Sequence, residues 1–351
     1  MYSRGEQIYK YQLINLIGGG NSGQVWFAKD KSLEKPIAVK IMDTNNSSVD
    51  LRLLEAKIGS RLEHSNVVNI LYADILSHNG KKIVLIAMPY FQQGSILKKV
   101  NSLNFLDMPL AIKYIIDILR GLEYLHENGF YHGDIKPNNI LIGNKNQAIL
   151  TDYGLTCYSP KHKVVSPRAT YLPHCSPETI SENVYDEKSD MYQLGLTVFR
   201  LLNGIGTIKD KFLADRNNFD KLVSSGQLVT DKDFQPFIPN NLKKIIMKAI
   251  EVNPDNRYGS ALEMRREFEK LLYVGHCTSD TDGKLIVIGK NYIYWHEIEA
   301  ITVYKYNLKV YKKNKKSKRV TRVHKYSKNN LKKSELEKVK RKILQAIIMG
   351  E

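Results

Sequence analysis

The stretch YHGDIKPNNIL, Tyr131 to Leu141, places Asp134 directly after a His-Gly pair, Lys136 two residues on and Asn139 five residues on. It runs into the apolar, strand-prone Ile140-Leu141-Ile142, and a second apolar run, Ala148-Ile149-Leu150, leads into Thr151-Asp152-Tyr153-Gly154. Two carboxylates, an amine and a carboxamide are thereby carried at the ends of two short strands. Any one of them is an ordinary surface polar residue. All four in this order, bracketed by buried-strand sequence, ask for a chemical reason.

At 351 residues, with 42% hydrophobic and 25% charged side chains, the chain has the composition of a soluble globular protein of two or three units. Its three cysteines, Cys157, Cys175 and Cys277, include no CxxC pair, which argues against a disulfide framework or structural zinc and for a reducing compartment. The opening MYSRGEQIYKYQ lacks the apolar core of a signal peptide, and the longest apolar run, IVLIAMPYF, is far short of the ~20 residues of a membrane helix. No Gly follows Met1 and no CaaX box ends the sequence. The expected location is cytoplasmic, with peripheral membrane association as the variant its charge allows. Net charge is +17, unevenly spread: Gly275–Glu351 holds 19 Lys and Arg against 7 Asp and Glu, a net +12, and the preceding residues carry +5. The basic excess belongs to the C-terminal fifth.

Residues from about 10 to 90 are strand-rich. YQLINLIGGG, GQVWFAKD and PIAVKIMD are β-prone runs separated by Gly-rich or charged turns, and KKIVLIAMPY is a further buried strand. Between them, VDLRLLEAKIGSRLEH spaces Leu51, Leu54, Ile58 and Leu62 along one helical face. DMPLAIKYIIDILRGLEYLHENG then opens a helix with Asp107 as N-cap and Pro109 in the first turn, and closes it at Gly129. Its Leu110, Ile115, Ile116, Leu119, Leu122 and Leu125 form one wide apolar stripe. SDMYQLGLTVFRLLNG and NNLKKIIMKAIEV are later helices. Past Leu272, the turn-rich YVGHCTSDTDGK marks a boundary. Beyond it KLIVIG, NYIYW, EAITVYKY, LKVYKK and RVTRVHKY read as five strands of a small twisted sheet. KKSELEKVKRKILQAI follows as an amphipathic helix with a Ser334–Glu337 capping box.

GGGNSG contains Gly18-x-Gly20-x-x-Gly23, a pattern that is weak alone. Its context is a strand before it and a strand, QVWFA, after it. That disfavours a dinucleotide-binding turn, which leads into a helix, and favours a β-hairpin lid over phosphates. Lys40, on the strand IAVK, has a candidate partner in Glu55 on the following helix. An ammonium held by a carboxylate makes a good clamp for phosphates. Phosphoryl transfer also needs a proton acceptor for the attacking hydroxyl, a cation at the γ-phosphate and two oxygen ligands for a metal. Asp134, Lys136, Asn139 and Asp152 are of those types.

The ordered series Gly18-x-Gly20-x-x-Gly23-x-Val25, Ala38-Val39-Lys40, Glu55, MPYFQQGSI, HGDIKPNN, DYG, SPE and DMYQLG resembles a eukaryotic-type Ser/Thr protein kinase over the first 272 residues. The HGD and DYG variants are similar to those of vaccinia-related kinases, and HGDIKP to bacterial eukaryotic-like kinases. The resemblance implies an α+β, two-lobed fold. It divides the chain into an N-terminal extension (1–9), a kinase domain (10–272, N-lobe 10–90 and C-lobe 91–272), a linker (273–283) and a basic β-rich domain (284–351), for which a PH-like module is the architectural guess.

Carried over residue by residue, the resemblance implies Asp134 as catalytic base and Lys136 as γ-phosphate contact. Asn139 and Asp152 become ligands of Mg2+, with Mn2+ as the alternative. Lys40 and Glu55 form the ion pair, and Gly18, Gly20 and Gly23 cover the phosphates of ATP. Val25, Ala38 and Leu141 would sandwich the adenine, Met88 would be the gatekeeper, and the backbone of Pro89 and Phe91 would bond the base. Asp190 would brace the catalytic loop, and Arg257 would pair with Glu178.

Four departures stand out. Gly133 replaces the Arg that binds an activation-loop phosphate, so that switch is not expected. Tyr153 replaces the usual Phe and brings a hydroxyl that needs a partner. Gly59 stands where the family usually has an apolar spine residue, and Thr170 in ATYLPHCSPE is one place off register. Two rivals are weighed. A small-molecule kinase of the aminoglycoside or choline type shares His-Gly-Asp but lacks the SPE and DMYQLG segments. A pseudokinase scaffold usually loses Lys40, Asp134 or Asp152, all present here. Lys136 favours Ser/Thr of protein substrates as acceptor, with autophosphorylation. The run KKNKKSKR, Lys312–Arg319, reads as a solvated hairpin tip or, functionally, as a site for an anionic partner: a lipid headgroup, nucleic acid or an acidic protein. Oligomeric state has no sequence signal.

Overall fold

A computed structural model of the chain describes residues 2–20, 23–44, 49–100, 106–279 and 284–350, and leaves the side chains of Leu51 and Asn217 undescribed. The chain forms two compact units, Met1–Ile96 with Asp117–Gln193, and Leu97–Ile116 with Leu194–Glu351.

The first unit opens with β1 (Gln7–Ile8), β2 (Tyr11–Gly20), β3 (Gly23–Asp30), β4 (Lys35–Asp43), α1 (Val49–Gly59), β5 (Tyr72–His78) and β6 (Lys81–Pro89). The strands make one antiparallel sheet in the order β1-β2-β3-β4-β6-β5. β4 and β6 each bury six successive residues, because both faces of the sheet centre are covered. Strand alternation sends Ile37, Val39 and Ile41 to one apolar cluster with Leu13, Trp26 and Leu85. Ala38 and Met42 go to the other, with Ala56 of α1, Val68, Ile86, Met88 and Ile149. Lys40 lies between Ala38 and Met42 in this alternation, on the face toward α1. Of the helical face expected from Leu51, Leu54, Ile58 and Leu62, Ile58 is buried and Leu54 half-buried, Leu62 is buried but lies beyond the end of α1 at Gly59, and the side chain of Leu51 lies outside the described residues; Ala56 is buried in addition.

α2 (Met108–Glu127) runs through both units. Asp107 caps it, accepting from the Leu110 N–H at 3.0 Å, and Gly129, at φ +74°, ends it where a Cβ would press on Pro160 at 2.9 Å. The rest of the first unit is built from short pieces: β7 (Phe130–Tyr131), β8 (Ile140–Ile142), β9 (Ala148–Leu150), β10 (Cys157–Tyr158) and α3 (Pro177–Glu182). β7 pairs with β10 and β8 with β9, all antiparallel. α4 (Glu187–Asn203) again runs through both units.

In the second unit α5 (Gly206–Ala214), α6 (Arg216–Ser224), α7 (Asn240–Ala249) and α8 (Ala261–Glu269) precede a C-terminal sheet. The sheet holds β11 (His276–Ser279), β12 (Leu285–Ile288), β13 (Tyr292–Thr302), β14 (Lys305–Asn314), β15 (Val320–Arg322) and β16 (Lys328–Lys332), and α9 (Lys333–Met349) follows it. The sequence reading of five strands is corrected in two ways. NYIYW and the start of EAITVYKY are one strand, since no turn residue separates them and β13 pairs with β14 from Tyr292 to Ala300 without a break, and the chain turns inside EAITVYKY at Val303-Tyr304, so that Lys305-Tyr306 open β14. β11 and the polar β16 are additional. β11 lies within 273–283, the span read as a linker, of which residues 280–283 are outside the described residues. Glu335, not Glu337, folds back at the start of α9, accepting from the Lys332 N–H at 2.8 Å. The sheet and α9 share their unit with the helices through polar contacts. Gln345 Nε2 donates to the Ile238 carbonyl at 2.8 Å, and His276 Nδ1 lies 2.6 Å from Asp107 Oδ2. No described helix is long and apolar enough to cross a membrane.

Candidate active site

Gly18 and Gly20 sit on β2, opposite Val25 and Gly23 of β3. Asn21 and Ser22, between the strands, lie outside the described residues. Gly23 is required by its backbone: φ is +118°, and a Cβ there would lie 2.5 Å from the Ile41 carbonyl oxygen. Around Gly20 a Cβ would meet nothing within 4 Å, so this end of the hairpin is bare backbone that a phosphate could approach closely. Val25, Phe91 and Leu141 pack, partly buried, against the apolar cluster that contains Ala38 and Met88. Five of the six residues expected around an adenine are therefore gathered at one place. Pro89 ends β6 opposite Ile37. Phe91 gives its carbonyl to the Gly94 N–H at 2.9 Å, and its own N–H bonds nothing among the described residues.

Lys40 is 3% exposed and makes three charge-assisted bonds. Its Nζ lies 2.8 and 2.7 Å from the two oxygens of Glu55 and 3.1 Å from Asp152 Oδ1. Burial opposes the ammonium, but Glu55 and Asp152 outweigh it and hold the Lys40 pKa above its ordinary value. Burial likewise pushes Asp152 up, and Lys40 more than reverses it, leaving that carboxyl below the usual range. Lys40 is thus an ammonium and Asp152 a carboxylate at neutral pH. Asp152 adopts φ +70°, a left-handed conformation that Asp tolerates better than most residues.

The catalytic-type loop is tied down from all sides. Asp134 Oδ2 accepts from Lys136 Nζ at 2.7 Å and Asn139 Nδ2 at 2.8 Å. Asn139 Nδ2 spends its second proton on the Asp134 carbonyl at 2.9 Å. Asp134 Oδ1 is buried and has no partner among the described residues. Asp190, fully buried in α4, accepts four donors: the His132 and Gly133 N–H groups at 2.7 and 2.9 Å, His126 Nε2 at 2.9 Å and the Tyr185 hydroxyl at 2.6 Å. Gln193, one turn along α4, accepts from the Ile135 N–H at 2.7 Å and donates to the Gly133 carbonyl at 3.1 Å. Lys136 Nζ also lies 4.2 Å from the centre of the Tyr171 ring.

With this arrangement the sequence matches the protein kinase domain family over residues 11–268. The chain belongs to the protein kinase family. Relatives of this kinase include PrkC of Bacillus subtilis, a serine/threonine-protein kinase 28% identical over 274 residues, 74% of this chain and 40% of that protein. PknB of Mycobacterium leprae is 26% identical over 270 residues, 74% of this chain and 42% of that protein. PknD of Chlamydia trachomatis is 29% identical over 306 residues, 75% of this chain and 32% of that protein. The match thus spans between about a third and two-fifths of these relatives' lengths.

A protein kinase uses ATP and a divalent metal. Among the described residues no group of three or more His, Cys, Asp and Glu side chains forms a metal cage of its own. The donor set nonetheless fits a hard cation that is completed by phosphate and water. Lys40 and the Gly154 N–H both approach Oδ1 of Asp152, leaving Oδ2, and Asn139 turns its amide protons to Asp134, leaving its carbonyl oxygen.

Two departures from the family pattern are accounted for together. The Tyr153 hydroxyl donates to the Val68 carbonyl in a buried, short hydrogen bond. A Cβ on Gly59 would lie 2.3 Å from Ile70 Cγ1 and 3.1 Å from Tyr153 Cδ2, so the space of a spine side chain is already filled by these two. Tyr153→Phe is expected to leave the buried Val68 carbonyl without its donor and to cost about 1–3 kcal/mol in urea unfolding, with turnover retained. A variant as stable as the parent would show that this bond contributes nothing. Sequence reasoning found Asp190 but missed Gln193, Tyr185 and His126. A Gln three residues after Asp190, on the same face of an otherwise apolar helix, was the available signal.

Proposed function

We propose that the chain transfers the γ-phosphate of ATP to Ser and Thr hydroxyls of protein substrates, itself among them, with Mg2+ or Mn2+. The observation that carries this reading is Asp134: one carboxylate oxygen is held by Lys136 and Asn139, and the other is buried and without a partner among the described residues. That oxygen is the proton acceptor for an incoming hydroxyl, and Asp190 and Gln193 hold the loop that aims it. Lys136 lies beside it to meet the γ-phosphate, and Lys40, fixed by Glu55, meets the α- and β-phosphates. Asp152 and Asn139 would hold the metal, which when bound would supply neutralising charge for the phosphates. Gly18, Gly20 and Gly23 cover the phosphates. Val25, Ala38, Met88 and Leu141 enclose the base, which bonds to the backbone of Pro89 and Phe91. The kinase domain is taken as 10–272, and the location as cytoplasmic.

The test is transfer of radiolabel from ATP to a panel of proteins and, separately, of amino-sugars and amino-alcohols, with and without divalent metal. Metal-dependent label on Ser or Thr of protein is the expected result. Label on small molecules alone would make this a small-molecule kinase, and binding of ATP without transfer would make it a scaffold.

Activation-loop phosphorylation is not part of this reading. Gly133 stands at φ +80°, and a Cβ there would lie 2.5 Å from the Leu155 carbonyl oxygen, so the phosphate-binding Arg has no room. Phosphatase treatment, with loss of loop phosphate checked by mass spectrometry, is expected to change the initial rate less than about threefold. A hundredfold drop recovered on rephosphorylation would assign the Arg's task to another cation.

The basic C-terminal unit, with +12 of the chain's +17, is read as a docking module for an anionic partner rather than part of the chemistry. Its dependence on salt is the simplest check.

A further inference from the structure

The β13–β14 hairpin ends in a two-residue turn, Val303-Tyr304, between the paired Thr302 and Lys305. Such turns are ordinarily made of Gly, Asn or Asp, whose backbones suit them. Here the turn carries an aliphatic and an aromatic side chain that are 81% and 78% exposed. Ile301, at the register shift beside them, is 51% exposed. All residues from Glu297 to Thr302 are exposed, so this half of β13 stands clear of the sheet's own core, which on β14 begins only at the buried Leu308, opposite Ile298. Neither turn geometry nor packing within the chain accounts for apolar side chains at such a tip.

What surrounds the tip is basic. β16 pairs with β14 at this end, Lys332 opposite Lys305 and Lys328 opposite Leu308. Lys333 follows, and all four lysines are exposed. Two acids nearby are occupied: Glu299 lies 2.9 Å from Lys309, and Glu335 caps α9; Glu297, opposite Lys309, is exposed. A convex tip of this size offers far less than the roughly 800 Å2 per partner of a stable protein interface. An apolar point inside a ring of ammonium groups instead matches a partner that is anionic outside and apolar within. An anionic bilayer has that layering, with Tyr favoured at its interface and lysine drawn to its headgroups.

We propose that Ile301, Val303 and Tyr304 insert into the interfacial layer of an anionic membrane while Lys305, Lys328, Lys332 and Lys333 contact its headgroups. The proposal rests on reading the C-terminal unit as a docking module. It moves the contact away from Lys312–Arg319 to the other end of β14, about 30 Å off at the rise of an extended strand.

The test uses the full chain with vesicles of phosphatidylcholine, alone or mixed with phosphatidylglycerol. Co-sedimentation is expected with the mixed vesicles only, weakening as salt is raised. V303D/Y304D should bind about tenfold more weakly or worse, because the inserted apolar surface is lost, and K305E/K332E should follow it. K315E/K316E/K318E should stay within about twofold of the parent. Unchanged thermal unfolding of V303D/Y304D separates lost binding from lost folding. Tyr304→Trp reads insertion directly: its emission should shift to the blue and be quenched by bromine-labelled acyl chains in mixed vesicles alone. Normal binding by V303D/Y304D with loss in K315E/K316E/K318E would keep the docking reading and overturn the tip. No sedimentation with either vesicle would overturn the tip and leave the docking reading to other anions. Self-association relieved by V303D/Y304D, without vesicle binding, would make the tip a contact between copies.

Discussion

Asp134→Asn is expected to lower kcat by about a hundred- to ten-thousand-fold while leaving the KM for ATP nearly unchanged. The substitution is close to isosteric. Its carbonyl oxygen takes the place of Oδ2 and still accepts from Lys136 and Asn139, which lie 2.7 and 2.8 Å away. The NH2 then falls where Oδ1 was, the buried atom with no partner among the described residues. In the proposed role, a proton acceptor becomes a donor at the position assigned to the incoming hydroxyl's proton, and little else changes. Single-turnover transfer beside nucleotide titration separates the two quantities. Activity within about threefold of the parent would remove Asp134 from the base role, and a large rise in the KM for ATP would make it a nucleotide contact instead.

Asp190→Ala is expected to destabilise the fold by about 3–5 kcal/mol, with loss of activity beyond what unfolding explains. Four donors converge on this carboxylate, two of them the His132 and Gly133 N–H groups. Alanine takes the acceptor from all four, and Asp190 is 0% exposed, so a single water in the vacated space is all that could replace a charged acceptor. Burial pushes its pKa up, but His126 and the other donors outweigh this and hold it below the usual carboxylate range. A depressed folded pKa favours the native state above the ordinary carboxylate pKa. That contribution is therefore present at neutral pH and is lost as the pH falls through and below the carboxylate range. Urea titrations of parent and variant at neutral and acid pH should converge on acidification. A constant gap would show that the damage is a packing cavity and not lost charge.

The strands β2, β3, β4 and β6 and the residues Lys40, Glu55, Asp134, Asn139 and Asp152 were legible because local rules constrain each of them. Apolar runs give the strands, and the motif order brought together residues that the structure places in contact, Lys40 with Glu55 and Asp152, and Asp134 with Asn139. What escaped was set by partners distant in sequence. β16 is a polar piece whose only strand signal is the neighbour it pairs with, and β5, YADILSH, is an edge strand without clean alternation. Gly59 looked like a defect until Ile70 and Tyr153 were seen filling its space. Gln193 is an unremarkable letter in a helix and becomes meaningful only with Ile135 and Gly133 beside it. The merger of two predicted strands into β13 had a local cause that could have been read: no Gly, Pro or Asn interrupts Tyr292 to Thr302.

The side-chain clamp on the loop also decides what amide hydrogen exchange measures there. The His132, Gly133 and Ile135 N–H groups bond to Asp190 and Gln193 and not to the backbone of a helix or sheet. Their exchange requires these carboxylate and carboxamide contacts to part, not the fraying of a regular element. Slow exchange at these three amides therefore reports whether the transfer machinery is assembled, before any nucleotide or substrate is added.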